Sequence, residues 1–377
     1  MIARRFDFRT PAGLSLPELA LLALGVWVAL QISFGLGALW IGALLWAGFD
    51  AHREPAPPAS MAFIAIVVTL WLVAPATPLA WDEQVWLMKA KLAALGLLRA
   101  GALTANSEVV PPGYPIGFPV ACGWLGAGHV ALGAIVLRAI CLGAFVAAIL
   151  RHRRDLTLHT VLVLACTPLV LVHLRLAYAD LPVGLLSGAL FVELRAETPS
   201  PLRALIVAGM LTSLKDEGLA HVVVVAGLAA LQHRQRASFL ATLGALCMFG
   251  AWRFLCWQHH VTDSDHALGM PVLSQLGTIL EMTAHHACDV RSFGGLWLLV
   301  VALVVVALVR GPQRHELASL FVLAAVLLAA VIFGPPRVRE FAMSGTLLGR
   351  LLLQLVPTAA VLVATPLAKT RGGTTDS

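Results

Sequence analysis

The sequence predicts an all-α polytopic membrane protein, and its composition and apolar runs carry that prediction. Of the 377 residues, 59% are hydrophobic and only 12% are charged, whereas soluble globular domains carry about 25% charged residues. Apolar runs recur along the chain, and a helix needs about 20 such residues to cross the hydrocarbon core. The runs predict about 12 membrane segments, with a range of about 10–13. No polar stretch is long enough for a large soluble domain, so residues 1–377 are predicted to form a single membrane domain.

The predicted spans follow one another with two long outer connections. The first two, near residues 16–33 and 36–49, form a hairpin, and the third covers residues 61–79. Residues 80–129 form the first long outer loop, and residues 258–291 form the second. Later spans are predicted near residues 130–150, 157–174, 181–194, 202–213, 218–231, 237–257, 292–309, 316–333 and 349–366.

The spans at 202–213 and 218–231 are each too short to cross a bilayer alone. Lys215, Asp216 and Glu217 lie between them. The pair is either two half-helices or one broken helix. Non-helical backbone at membrane depth is tolerated only where protein or a water-filled cavity surrounds it, so we expect the charged tripeptide to face a cavity.

Basic residues set the predicted orientation. The runs at residues 151–154 and 233–236 are rich in arginine, and such clusters mark the cytoplasmic side of a membrane protein. The net charge of +6 therefore bears on the orientation of the protein in the membrane. The chain shows no basic patch with interleaved aromatic residues that would indicate nucleic-acid binding. The acidic residues gather on the predicted outer side, where we expect the chemistry.

The segment of residues 81–91 reads WDEQVWLMKAK and follows directly after the third predicted span. If it is helical, Asp82, Trp86 and Lys89 lie on one face. Ionisable groups at such a place usually mark a reaction or a transport path. The structural alternative is that Asp82 and Glu83 favour a helix N-terminus while Trp86 belongs to an interfacial aromatic belt. Two adjacent carboxylates between tryptophans favour a functional role, but we expect the tryptophans to be belt residues.

Five further positions are candidate site residues, and each has a structural alternative. Asp180 could cap a helix. Lys215 and Glu217 could, together with Asp216, neutralise one another as an internal ion-pair cluster. Arg350 could extend along apolar surface towards water. Tyr114, between a glycine and a proline, could shape its loop or stack against lipid or sugar.

His285 and Asp289 are a candidate metal pair, because helical i, i+4 spacing suits two ligands. Both residue types are also ordinary in a loop. The sequence leaves the metal ligands unknown.

The charged motifs, taken in order, resemble the GT-C superfamily of integral-membrane glycosyltransferases. The similarity is greatest to its bacterial members related to protein mannosyltransferases and aminoarabinose transferases, and it extends over residues 61–360 as dispersed short motifs. The motifs are WDE at 81–83 with KAK at 89–91, PGYP at 112–115, YADLP at 178–182, KDEG at 215–218 and RLLLQLVP at 350–357.

The resemblance implies transfer of a sugar from a polyprenyl-phosphate carrier to an extracytoplasmic acceptor. Asp82 would be the general base, since a positioned carboxylate can draw the proton from an attacking hydroxyl, and Glu83 would assist it or bind a metal. Asp180 matches the second acidic position of the family. Lys215 and Arg350 would hold the carrier phosphate by charge-assisted hydrogen bonds, and a divalent cation could also serve.

The resemblance further implies a multi-pass protein of the bacterial inner membrane whose active site faces the periplasm or cell exterior. Its partners would be the lipid-linked sugar, membrane lipids and a glycan, lipid or protein acceptor. Lys89, Tyr114 and Glu217 complete the predicted substrate-binding residues. Many family members carry a large C-terminal soluble domain that recognises the acceptor, and this sequence has no such stretch.

Two other function classes fit parts of the sequence. A polytopic transporter or lipid-carrier flippase would use the broken pair of helices as a mid-membrane binding site. A structural partner in an envelope-assembly complex is the third alternative. Which sugar moves and which acceptor receives it stay open.

Overall fold

The computed structural model describes residues 14–32, 81–95, 113–126, 129–232, 234–261, 269–310 and 314–372. Within these ranges the chain forms helices joined by turns and loops, without strands, which confirms the all-α prediction. The predicted spans at 36–49 and 61–79 lie outside the described residues.

The described helices are numbered here in chain order. They are α1 (Leu16–Ile32), α2 (Trp81–Ala94), α3 (Gly117–Leu125), α4 (Val130–His152), α5 (Thr157–Ala165), α6 (Pro168–His173), α7 (Asp180–Arg195), α8 (Pro201–Leu214), α9 (Glu217–Ala230), α10 (Gln235–Gln258), α11 (Leu276–Cys288), α12 (Val290–Phe293), α13 (Leu296–Arg310), α14 (Arg314–Ile332), α15 (Pro336–Met343) and α16 (Thr346–Gly372). Short 3₁₀ turns cover Arg154–Leu156 and Leu273–Gln275.

Within the described part of the chain, four helices are long and apolar enough to cross a membrane: α4, α10, α14 and α16. Shorter apolar helices occur in α1, α8, α9 and α13. The protein is therefore a polytopic helical membrane protein. The boundaries of the outer loops at 80–129 and 258–291 stay predictions.

The helices differ from the predicted spans in two places. The predicted span at 157–174 is two helices, α5 and α6, because Pro168 begins α6 and Thr167 before it is extended. Proline lacks the backbone N–H and disfavours helical geometry in the residue before it. Helices α11 and α15 were not predicted, because both carry charged or histidine side chains that break the apolar pattern.

Helix α7 lies at the centre of the bundle, and residues 180–194 are buried along its whole length. Two glycines let α16 approach it closely. A Cβ at Gly184 would lie 2.8 Å from the carbonyl oxygen of Gln354, and one at Gly188 would lie 3.0 Å from Cβ of Pro357. Small residues four apart allow such close packing of membrane helices. The close approach brings the start of α7 against the polar residues of α16.

Candidate active site

The carboxylate of Asp180 is the centre of a polar network at the first residue of α7. It is 0% exposed, and three side chains from other segments donate to it. Lys215 Nζ donates to Oδ1 at 2.9 Å, Gln354 Nε2 donates to Oδ1 at 2.9 Å, and Arg350 Nε donates to Oδ2 at 2.8 Å. Helix capping therefore does not explain Asp180. A buried carboxylate is retained where cations and hydrogen bonds compensate it, and here they join three parts of the chain.

Lys215 reaches the network because the backbone is extended between α8 and α9 (φ −163°, ψ 152°). Its ammonium lies between Asp180 Oδ1 at 2.9 Å and Glu217 Oε1 at 2.7 Å. The Lys215 side chain is 2% exposed, whereas that of Glu217 is 18% exposed. The break between the two short helices thus delivers a cation into the protein interior, beside a carboxylate that reaches solvent.

Arg350 is the most exposed side chain of this network. Its guanidinium lies 4.6 Å from the ring centroid of Tyr178, and the side chain is 24% exposed. Such stacking adds a cation–π attraction to the ion pair with Asp180. Arg350 is therefore directed at Asp180 and does not merely extend along the apolar surface. Asp180, Lys215, Glu217, Arg350 and Gln354 are called the Asp180 cluster below.

Tyr114 lies beside the Asp180 cluster in a loop that α10 holds in place. The carbonyl of Gly113 accepts from Trp252 Nε1 at 3.0 Å and from Arg253 Nη1 at 3.4 Å. Arg253 also pairs with Asp216 Oδ1 at 2.7 Å. The loop is thereby fastened to the same turn that carries Lys215.

The second anchor of the loop is Gly117. A Cβ at this position would overlap the backbone carbonyl of Ser213 at the end of α8, so only glycine permits the observed approach. The two anchors fix the backbone on both sides of Tyr114.

The Tyr114 hydroxyl is electrostatically coupled to the cluster. Burial raises its pKa above the ordinary value, and the nearby ammonium of Lys215 opposes that rise. The hydroxyl therefore stays protonated at neutral pH and can donate a hydrogen bond.

Trp86 and Lys89 of α2 pack against Tyr114. The Trp86 ring meets the rings of Tyr114 and Phe118 edge-on, at centroid distances of 5.5 and 5.4 Å. The Lys89 ammonium lies 5.8 Å from the centroids of both Trp86 and Tyr114. Trp86 is 7% exposed, so the prediction that it belongs to an interfacial belt is wrong: its ring packs inside the protein, against the loop.

Asp82 and Glu83 lie in the first turn of α2, which begins at Trp81. Their side chains are outside the described residues. The segment is helical, which is the condition of the prediction; the shared face of Asp82 with Trp86 and Lys89 stays a prediction. The catalytic roles of Asp82 and Glu83 stay predictions.

The candidate metal pair does not gather further ligands. Among the described residues, no group of three or more histidine, cysteine or acidic side chains could hold a metal ion. Asp289 instead caps α12, accepting from the backbone N–H of Arg291 at 3.0 Å and from Ser292 Oγ at 2.5 Å.

Of the predicted substrate-binding residues, Asp180, Lys215, Glu217 and Arg350 are joined by direct ion pairs. Tyr114 is coupled to them electrostatically, and Lys89 contacts Tyr114. Sequence analysis missed two members of the surrounding network, Gln354 and His221. Each lies four residues after a predicted site residue, Arg350 and Glu217 respectively, so helical spacing could have indicated both.

Comparison with known proteins bears on the fold. No protein-family model matches the sequence, and no curated protein matches it. The structure is similar to the crystal structure of ArnT from Cupriavidus metallidurans bound to undecaprenyl phosphate, with a TM-score of 0.53 and 14% sequence identity. The match covers 81% of this chain and 59% of that chain.

The fold is GT-C-like, as the likeness to ArnT supports. At 14% identity this likeness establishes the architecture alone. The chain spans less than two thirds of that neighbour, so activity, substrate and partners are matters for proposal.

Proposed function

We propose that the protein is a membrane glycosyltransferase that moves a sugar from a polyprenyl-phosphate carrier to an extracytoplasmic acceptor. One observation carries the proposal: residues from separate segments of a GT-C-like fold converge on Asp180. The structurally similar ArnT was crystallised with undecaprenyl phosphate, a carrier of the proposed class.

The two cations of the cluster take different parts in this proposal. Lys215 is 2% exposed and is engaged by two carboxylates, whereas Arg350 is 24% exposed. We therefore assign the carrier phosphate to Arg350, and Lys215 holds the carboxylates of Asp180 and Glu217 in place. A guanidinium suits this task because its planar fork can bind phosphate oxygens at two points.

The chemical step requires a base, and Asp82 is the proposed one, assisted by Glu83. The acceptor hydroxyl attacks the anomeric carbon, its proton passes to the Asp82 carboxylate, and the bond between that carbon and the phosphate oxygen breaks. The electron pair leaves with the polyprenyl phosphate, whose charge Arg350 stabilises. Positive charge placed where negative charge develops lowers the barrier of such a step.

The proposed orientation puts Asp180 at the outer face of a bacterial inner membrane. Asp180 and Glu193 are 13 residues apart on α7, which corresponds to about 20 Å along the helix. Arg151 and Arg203 lie at the Glu193 end, together with the basic run at residues 151–154. Clustered basic residues favour the cytoplasmic side, so the Asp180 end faces the periplasm or cell exterior.

A transporter or flippase is the second candidate, because two short helices meet at Lys215 in the interior. Half-helices that meet near a charged group are typical of transport sites. The two functions differ in bond chemistry: only the glycosyltransferase forms a new glycosidic bond.

The test is sugar transfer from labelled lipid-linked donors in membranes that contain the protein, compared with Asp82→Asn. We expect the substitution to lower transfer on the order of 100-fold, at the lower end of the range for general acid–base catalysis. Asp155→Asn is the matched control, because the Asp155 side chain is 58% exposed and lies in the 3₁₀ turn that follows α4, outside the Asp180 cluster. Full activity of Asp82→Asn would remove Asp82 as the base. Movement of the lipid-linked sugar without a new glycosidic bond would establish the transporter.

A further inference from the structure

A buried chain of hydrogen bonds runs from Asp180 into the bundle. Gln354 Nε2 donates to Asp180 Oδ1 at 2.9 Å, Gln354 Oε1 lies 3.1 Å from His221 Nε2, and His221 Nδ1 lies 2.6 Å from Ser187 Oγ. Gln354, His221 and Ser187 are each 0% exposed. They come from α16, α9 and α7, so three helices contribute to one line of polar atoms.

The hydrogen-bonding chemistry fixes the direction of every bond in this chain. The Asp180 carboxylate faces two cations and only accepts, so the Gln354 amide must present its N–H groups to it. The amide oxygen then faces His221 and can only accept, which places a hydrogen on His221 Nε2. Complete burial favours the neutral imidazole, whose Nδ1 then accepts from the Ser187 hydroxyl.

This chain of hydrogen bonds sets the orientation of the Asp180 carboxylate. With Oδ1 held by Gln354 and Lys215, Oδ2 is the oxygen offered to Arg350. Gln354 and Arg350 lie four residues apart on α16, and both reach Asp180 from one face of that helix. Loss of the amide contact would free the carboxylate to turn, and the guanidinium would lose its fixed partner.

A buried amide needs a partner on both sides. Without His221, the Gln354 oxygen would be a buried acceptor with no donor from that side, and an unsatisfied buried polar group is costly. Rotation of the amide would relieve this at the expense of its bond to Asp180. His221 thus acts on Asp180 through Gln354, and Ser187 acts on it by holding the imidazole.

We propose that Gln354, His221 and Ser187 form a positioning chain that orients Asp180 so that Arg350 is presented to the phosphate of the lipid carrier. The inference rests on the proposed function and adds three positioning residues behind its binding site. None of the three contacts the reacting atoms.

The test measures binding of undecaprenyl phosphate to the purified full-length protein in detergent, with the unfolding temperature of each variant recorded. His221→Leu removes both ring nitrogens at similar volume, whereas His221→Gln places an amide N–H where Nε2 was. We expect His221→Leu to raise the dissociation constant about tenfold, and His221→Gln to restore it to within about threefold. Thr358→Val is the control, since Thr358 is a buried residue on the next turn of α16.

Each outcome of this test either supports or overturns the positioning chain. Unchanged binding by His221→Leu, or equal losses in the Leu and Gln variants, overturns the positioning chain while the proposed function stands. If His221→Leu does not fold, Ser187→Ala decides: weaker binding at an unchanged unfolding temperature supports the chain, and unchanged binding overturns it. A parent protein that does not bind undecaprenyl phosphate overturns both the chain and the proposed function.

Discussion

Two ion-pair clusters lie at opposite ends of α7, and both combine buried carboxylates with arginines. The Asp180 cluster lies at the first residue of the helix. The second cluster, called the Glu193 cluster, lies at its last turn and consists of Glu18, Arg151, His152, Glu193 and Arg203. The same chemistry is therefore present twice, about 20 Å apart on one helix. The differences between the clusters distinguish a structural ion-pair cluster from a candidate binding site.

The Glu193 cluster is closed. Every one of its side chains is at most 9% exposed. Its carboxylates also bind backbone groups where helices begin: Glu18 accepts from the N–H of Ser15 at 2.7 Å, and Glu193 accepts from that of Ser200 at 2.6 Å. Free backbone N–H groups at helix starts need such acceptors. This cluster fastens α1, α4, α7 and α8 together.

The Asp180 cluster, in contrast, is open on one side. Arg350 and Glu217 are 24% and 18% exposed, and the hydrogen bonds of Asp180 run to side chains. Burial and pairing alone therefore do not identify a site. The distinguishing feature is a charged group that is held by the interior but still reaches outward.

The largest expected effect comes from removing the central charge of each cluster. Asp180→Asn should lower sugar transfer by folded protein on the order of 100-fold, the loss of about 3 kcal/mol of transition-state stabilisation. Glu193→Gln should leave transfer per folded molecule within about twofold, but lower the free energy of unfolding by about 3 kcal/mol, because it breaks a buried pair. Transfer assays and thermal unfolding of both variants check this. Equal losses of transfer in the two variants would contradict the conclusion that only the Asp180 cluster serves the reaction.

The next effect concerns the shape of the exposed cation. Arg350→Lys keeps the charge but loses the Nε–H bond to Asp180 and the stacking on Tyr178, so we expect donor KM to rise about tenfold, the equivalent of 1.4 kcal/mol. Arg203→Lys makes the same exchange in the Glu193 cluster and should leave KM unchanged. Steady-state kinetics with varied donor concentration measure both. A parent-like KM for Arg350→Lys would mean that the carrier phosphate is bound elsewhere.

A smaller effect should follow from loosening the Tyr114 loop. Trp252→Phe removes the N–H that holds the Gly113 carbonyl, a hydrogen bond of about 1 kcal/mol, so we expect about a fivefold rise in donor KM at a similar kcat. Trp257→Phe is the control, because Trp257 is 72% exposed near the end of the same helix. An equal donor KM for the two variants would show that the hydrogen bond from Trp252 to the Gly113 carbonyl does not affect substrate binding.

The effect that is smallest at neutral pH is a dependence of stability on pH. Burial raises the pKa of Tyr114 in the folded protein, so the folded state keeps a proton that the unfolded chain loses above about pH 10. The parent should therefore lose stability relative to Tyr114→Phe as pH rises above about 10, by at most about 1.4 kcal/mol per pH unit. Unfolding temperatures of both proteins at pH 8 to 11 check this, and parallel curves would contradict it.

Sequence reasoning found the helical class and the charged members of the site, because apolar runs and isolated ionisable groups are local signals. It predicted a break between two short helices at Lys215, Asp216 and Glu217, and the break is present; that this charged tripeptide faces a cavity stays a prediction. It did not find His221, because the i, i+4 spacing from Glu217 indicates a shared helix face but does not identify Gln354 and Ser187, which lie on other helices, as partners of the imidazole. Its interfacial placement of Trp86 failed because tertiary packing, not position next to a span, decides where a ring is buried.

The central claim is that the open, Asp180 end of α7 binds the phosphate of a lipid carrier. The most direct test is an experimental structure of the protein with undecaprenyl phosphate bound. The account predicts the phosphate within hydrogen-bond distance of the Arg350 guanidinium, with Asp180 still paired to Lys215. A phosphate bound at the Glu193 end, or one at the Asp180 end without contact to Arg350, would contradict it.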